Sequence, residues 1–194
     1  MAQDKLQRVL QLIDDVHRQD PRCELTAHDD IPAELLYAQR MTEWLMKLEP
    51  NASEALQLAV RGQHLRRWQL ARDAYPMDRV GYLRWRTDLK NLHAKELGQL
   101  MADEGYDEET IASAQGLVKK DRLKQNPESQ LLEDAACLVF LEHELADFAA
   151  KHPTDKVLDI LRKTWPKLSA RAQAIALELP LAPKAKEYIA AALG

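Results

Sequence analysis

The chain has 194 residues, 30% of them charged and 46% hydrophobic, with a formal net charge of −4 at pH 7. That length suits one globular domain, and that balance excludes a disordered chain and a protein that binds polyanions by bulk charge. With 6 glycines and abundant Ala, Leu, Glu, Lys, Gln and Arg, the composition favours helix over sheet.

In chain order, Leu6, Val9, Leu10, Ile13 and Val16 keep one helical face over residues 3–19, and Asp20-Pro21 ends that helix. Residues 20–31 are polar and irregular. Pro32 is a good first-turn residue for a helix reaching about Leu48. Pro50-Asn51 breaks it, and Ser53 or Asn51 caps a third helix running through Leu56, Ala59, Val60 and His64 toward Trp68. Residues 69–78 form a loop around Pro76. Asp78 caps a long helix from Arg79 to about Glu104, closed by Gly105. Asp107 caps the next, to about Lys120. Asn126 caps one that has Pro127 at its first position and reaches about Ala150. Pro153, Ser169 and Pro183 open the last three.

The run Ala135–Leu141 is apolar all round, which predicts a helix buried on most sides. No strand-length alternation and no internal repeat appear. The expectation is an all-α, single-domain helical bundle over residues 1–194. Cys23 and Cys137 form no CxxC pair, and Cys137 lies in the apolar run, so a buried free thiol and a reducing compartment are expected. The N-terminal MAQDKLQRVLQLIDD lacks a signal-peptide core, and no apolar stretch is long enough for a membrane span. A cytoplasmic protein without membrane contact is expected.

Polar residues at apolar positions are the informative ones, because a buried polar group needs a partner. His93 is four residues from both Leu89 and Leu97 and points inward. Asp134 lies between Leu131 and Leu138 on a core-facing stripe, and Glu133 shares a face with Cys137 and Phe140. His64 is four residues from both Val60 and Trp68. Glu34 sits in a first turn, where the helix dipole favours a carboxylate. Each taken alone reads as a hydrogen-bonded structural residue. Together, two histidines and a carboxylate from different helices point to a shared cleft.

Arginine supplies a second constellation. Arg61, Arg66, Arg67, Arg72, Arg79, Arg84 and Arg86 are interleaved with Trp68, Tyr75, Tyr82 and Trp85, with Lys119, Lys120 and Lys124 further on. Guanidinium groups suit bidentate phosphate or carboxylate recognition, and aromatics can stack on a base or shield a ligand. The alternative is a solvated face tied up in ion pairs. From this set, Arg61, Arg67, Arg79, Tyr82, Arg86 and Lys119 are the candidates for binding a small anionic ligand. The basic amphipathic segment KVLDILRKTWPK reads as packing on one face and solvated on the other.

The strings ELLYAQRMTEWL, RGQHLRRW, YPMDRVGYLRWRTDLKNLHA, LLEDAACLVFLE and DKVLDILRKTW resemble the family catalogued as domain of unknown function 4202, from about Ala33 to Leu179. The resemblance carries no activity. More distantly, the order of elements is similar to the HD superfamily of helical metal-dependent phosphohydrolases. That similarity implies an HD-like fold with His64 as the first His, His93 as the His of the His-Asp pair and Asp134 as the distant Asp. Ala94 stands where the signature has Asp, so the metal cradle it implies is incomplete. Two imidazoles and one carboxylate would still hold one divalent transition metal, with Glu133, Glu96 or Glu34 as a further oxygen.

Three functions remain open at this point. One is an HD-like hydrolase of a small phosphorylated or nucleotide-like metabolite, with Glu133 or His64 as general base. Another is a non-catalytic sensor using the same pocket. The third is a helical RNA or protein interaction module, against whose nucleic-acid form the net charge weighs. Oligomeric state is not fixed by the sequence.

Overall fold

The computed structural model describes residues 2–26, 29–121 and 125–194. Helices dominate: α1 (Ala2–His17), α2 (Ala33–Leu48), α3 (Glu54–Arg61), α4 (Arg79–Asp103), α5 (Glu108–Lys119), α6 (Pro127–Val139), α7 (Leu145–Lys151), α8 (Thr154–Thr164), α9 (Ala170–Glu178) and α10 (Pro183–Leu193). The all-α expectation holds. Among the described residues no helix is long and apolar enough to cross a membrane. The chain divides into two compact units, Met1–Ser129 and Gln130–Gly194.

In the first unit, α4 packs along α5, α3 against α5 and α2, and α1 against α3 and α4. Ile13, Met41, Leu45, Leu56, Leu58, Leu97, Met101 and Leu117 are fully buried between them. These residues recur at three- and four-residue spacing along their helices, which is why each helix buries one face. The predicted caps are present. Ser53 Oγ accepts from Leu56 N, Asp78 Oδ1 from Gly81 N and Asp107 Oδ1 from Thr110 N. Such side-chain caps stabilise a helix start by about 1 kcal/mol each.

Three details differ from the sequence reading. Residues 20–31, read as irregular, contain an antiparallel hairpin of β1 (Cys23–Leu25) and β2 (Asp30–Pro32), with Cys23 opposite Pro32. Three-residue strands are too short to show a period-two pattern. Pro32 precedes α2 with extended backbone (φ −50, ψ 130) rather than forming its first turn. The helix expected to reach Trp68 ends at Arg61, because Gly62 caps it. Arg66 then takes a left-handed conformation (φ 55) ahead of a 3-10 turn at Arg67–Gln69.

In the second unit, α10 packs on α8 and α7. Cys137 is buried and in no disulfide, as expected. The rod predicted to end near Ala150 is continuous but contains a π-helical turn, Phe140–Glu144, between α6 and α7. There Leu145 N donates to Phe140 O, five residues back. Val157 and Leu161 bury one face of α8, while Lys163 pairs with Asp159 on the other, as the basic segment predicted.

Gly81 holds the loop before α4 in place. A Cβ built there would lie 2.1 Å from the Pro76 carbonyl oxygen, a backbone atom that cannot move aside alone. Gly81→Ala is therefore expected to lose roughly 1–3 kcal/mol by urea unfolding, despite the higher helix propensity of alanine.

Candidate functional site

The site is built on α2. Glu34 stands in its first turn with 5% of its surface exposed. The chain arrives there through the hairpin. Asp20 is also buried and receives Arg22 N and Nε on one oxygen, while its other oxygen accepts from Glu34 N at 3.1 Å. Arg22 Nη2 reaches both carboxylates, at 3.1 Å to Asp20 and 2.6 Å to Glu34. The polar segment between α1 and α2 is thus the clamp that fixes Glu34.

His64 Nδ1 donates to Glu34 Oε2 at 2.8 Å. Tyr37, one turn along α2 from Glu34, stacks on the imidazole with ring centroids 4.2 Å apart and planes 10° from parallel. His93 lies next to it, its ring centroid 5.9 Å from that of His64. His93 Nδ1 donates to Leu65 O at 2.6 Å. Both imidazoles are therefore held by Nδ1, and neither Nε2 has a hydrogen-bond partner among the described residues. Arg67 Nε is 3.6 Å from Glu34 Oε1, and its guanidinium lies over Trp85 at 5.2 Å.

Electrostatics set the protonation states. Burial works against a charge on Glu34, but the His64 hydrogen bond, with Arg67 and Arg22, holds its carboxyl down to about 2. Burial also pushes His64 below its ordinary value; Glu34 pulls it back up, and the charges of Arg67 and Lys120 push it down. The pair stands at neutral pH as a carboxylate and a neutral imidazole. His93 is depressed to about 3, by burial first and then by His64. An imidazole so locked presents a free Nε2 lone pair, the arrangement that suits a general base.

Two non-glycine residues have positive φ among the described residues: Arg66, next to Arg67, and Lys120 (φ 61), whose charge acts on His64. Lys120 follows α5 in the position glycine usually holds. Its N–H and that of Asp121 close the helix on Leu117 O and Gly116 O. A lysine in that conformation costs about 1 kcal/mol relative to glycine, and strained backbone of this kind gathers at functional sites.

The other candidates have other partners or lie on other elements. Arg61 is committed to Asp14 by two bonds of 2.7 Å and to Thr42 at 3.2 Å, tying α1, α2 and α3 together. Arg66 pairs with Glu96, which is thereby engaged. Arg79, Tyr82 and Arg86 are exposed on the first turns of α4. Lys119 ends α5, half-buried, and Lys124 lies outside the described residues. Glu133 and Asp134 belong to the second unit. Asp134 accepts from Ser169 N at 2.7 Å, Ser169 Oγ at 2.6 Å and Gln130 Nε2 at 2.9 Å, so it braces the residue that caps α9. Glu133 has Lys167 Nζ at 3.7 Å. Among the described residues no group of three or more His, Cys, Asp or Glu side chains is placed to hold a metal ion.

Sequence reasoning passed over His17, Arg22 and Tyr37. His17 is fully buried, with Nε2 3.0 Å from Arg61 O, and Glu34 and His64 act on its titration. Its signal was available: it follows Ile13 by four residues on the apolar face of α1.

A family model described as a domain of unknown function (DUF4202) matches residues 7–189. The chain belongs to the DUF4202 family. No curated protein and no solved structure matches it. Its family supplies no activity, so what DUF4202 chemistry this chain performs has to come from the residues gathered on Glu34.

The depressed histidines make the fold acid-sensitive. A histidine bound neutral at a lowered pKa stabilises above 6.5, its ordinary value, and that stability is lost as pH falls toward the folded value, about 3 for His93. Glu34 adds a loss in the same direction, between its ordinary 4.5 and about 2. Lowering the pH from about 6.5 to about 5 should remove about 2 kcal/mol through His93 alone. His93→Asn, whose amide still donates to Leu65 O, should flatten that part of the pH dependence of urea unfolding.

Proposed function

We propose that the chain binds a small phosphorylated metabolite beside His64 and hydrolyses its phosphate ester, with His64 as general base. The observation that carries the reading is the 2.8 Å Glu34–His64 bond, which fixes a neutral imidazole with Nε2 open where Arg67 and Lys120 supply positive charge. Glu34 orients the ring and stabilises the imidazolium that forms. A water oxygen attacks phosphorus while His64 Nε2 takes its proton. The phosphorus–oxygen ester bond breaks, the leaving alcohol takes a proton from solvent, inorganic phosphate departs, and the His64 imidazolium returns its proton to solvent. Arg67 and Lys120 offset the charge on the phosphoryl oxygens.

The finer reading is a hydrolase of the HD-like type, with His64 and His93 at the positions the resemblance implies but not as metal ligands. The donor set does not fit that superfamily's metal. His64 and His93 offer two nitrogens, and the neighbouring carboxylate of Glu34 is already taken up by His64, Arg22 and Arg67. No step is therefore routed through a metal.

Inorganic phosphate and pyrophosphate should raise the melting temperature, by the equivalent of about 2.7 kcal/mol at roughly a hundred times Kd. A panel of phosphate monoesters assayed for phosphate release should contain a substrate. His64→Gln should keep the thermal shift and lose turnover by about a hundredfold or more. A thermal shift with no turnover across the panel would leave a sensor and remove the general base. No shift with any anion would remove the reading altogether.

Lys120→Gly separates binding from stability. It relieves the left-handed strain and removes a cation from the site. The variant should melt higher than the parent, by about 1 kcal/mol, and respond less to phosphate.

A further inference from the structure

We infer that the loop and first turns of α4 form a docking surface for an acidic amphipathic segment of another protein. Met77, Val80 and Leu83 are 78%, 75% and 54% exposed. Val80 and Leu83 are neighbours on the exposed side of the helix, and Met77 lies in the loop just before its cap, so the three make an aliphatic row at the start of α4. Arg79, Arg84 and Arg86 flank that row. None of these arginines has a carboxylate within ion-pairing distance among the described residues; Arg86 donates only to Tyr82 Oη, at 3.2 Å. The acids nearby are committed: Asp78 caps α4, and Asp88 accepts from Tyr75 Oη at 2.9 Å.

The platform is also built to stay in place. Arg72 donates to Tyr75 O and Asp78 O, Trp85 Nε1 donates to Leu70 O, and Gly81 lets Pro76 close over the helix start. An exposed aliphatic row on a braced frame, rimmed by unpaired guanidinium groups, fits a helix that presents leucine-like side chains on one face and carboxylates beside them.

Two other occupants fit less well. Nucleic acid would use the guanidinium groups and the aromatic rings, but Trp85 is half-buried and arginines lie near both rings. Arg67 and Arg72 lie over Trp85, and Arg72 and Arg86 over Tyr82, at 5.2–5.9 Å. Bases would then have only the exposed Tyr82 of this pair to stack on, and the aliphatic row would find no apolar partner. A second copy of this chain, docked through the same face about a two-fold axis, would set arginine rows against each other.

The test uses the full chain and a labelled synthetic peptide of about 16 residues, with leucines at helical three- and four-residue spacing and glutamates between them. Its controls are a scrambled peptide of the same composition and a single-stranded RNA oligonucleotide. Fluorescence anisotropy should show binding of the amphipathic peptide and at least tenfold weaker binding of the scrambled one. Leu83→Ser and Val80→Ser, both at exposed positions, should each weaken the peptide by about tenfold without shifting the melting temperature. Arg84→Gln should weaken it and reduce its salt dependence. Equal binding of both peptides would overturn the inference. So would RNA binding tighter than the peptide and indifferent to Leu83→Ser, or a dimer in solution that Leu83→Ser dissolves.

Discussion

The first unit depends on one buried charge, the carboxylate of Glu34. A lone carboxylate at that depth would lose its proton only at high pH, because burial disfavours the anion. Here four groups keep it ionised: the first turn of α2, the His64 Nδ1–H, Arg22 and Arg67. They come from three stretches of chain: α2 itself, the segment before it that carries Arg22, and the segment after α3 that carries His64 and Arg67. The hairpin exists to bring Arg22 and Asp20 back to the start of α2, and the left-handed Arg66 to turn Arg67 toward it. Removing any one partner would leave the others arranged around an under-compensated anion, which is worse than having built no polar site.

The same charge determines what the histidines can do. Because the Nδ1–H of His64 is donated to Glu34, the nitrogen left open, Nε2, is set by the fold and not by solvent. His93 is fixed the same way by a backbone carbonyl. Lys120 and Arg66, in conformations that glycine would adopt more easily, show that the fold tolerates strain next to this cluster.

Much of the fold was legible because its devices are local. Ser53, Asp78, Asp107, Asn126 and Ser169 each cap a helix whose start was read from sequence, and the apolar stripes gave the buried faces. The hairpin was not, since three residues per strand carry no period. Of the candidate residues, His64 and His93 do meet, and Glu34 joins them as more than a dipole-favoured first-turn acid. The other partners were hidden for physical reasons. Arg22 lies in a segment without periodicity, and Tyr37 reads as an ordinary core-facing aromatic. Asp134 shows the limit of the off-pattern argument: it is buried and polar, and Ser169 accounts for that burial within its own unit.

The π-helical turn at Phe140–Glu144 has a consequence for how the rod is phased. Upstream of it, Leu132, Ala135, Leu138 and Val139 are buried on several sides; downstream, burial narrows to Leu145 with Phe148 half-covered. The turn takes in one residue more than an α-helical turn, so Phe140 O is met by Leu145 N and not by Glu144 N. Deleting one residue within it would let the α-helical ladder run straight through while Leu145 and the rest of α7 kept their present faces. The same deletion in regular α-helix would instead rotate everything beyond it by about 100°.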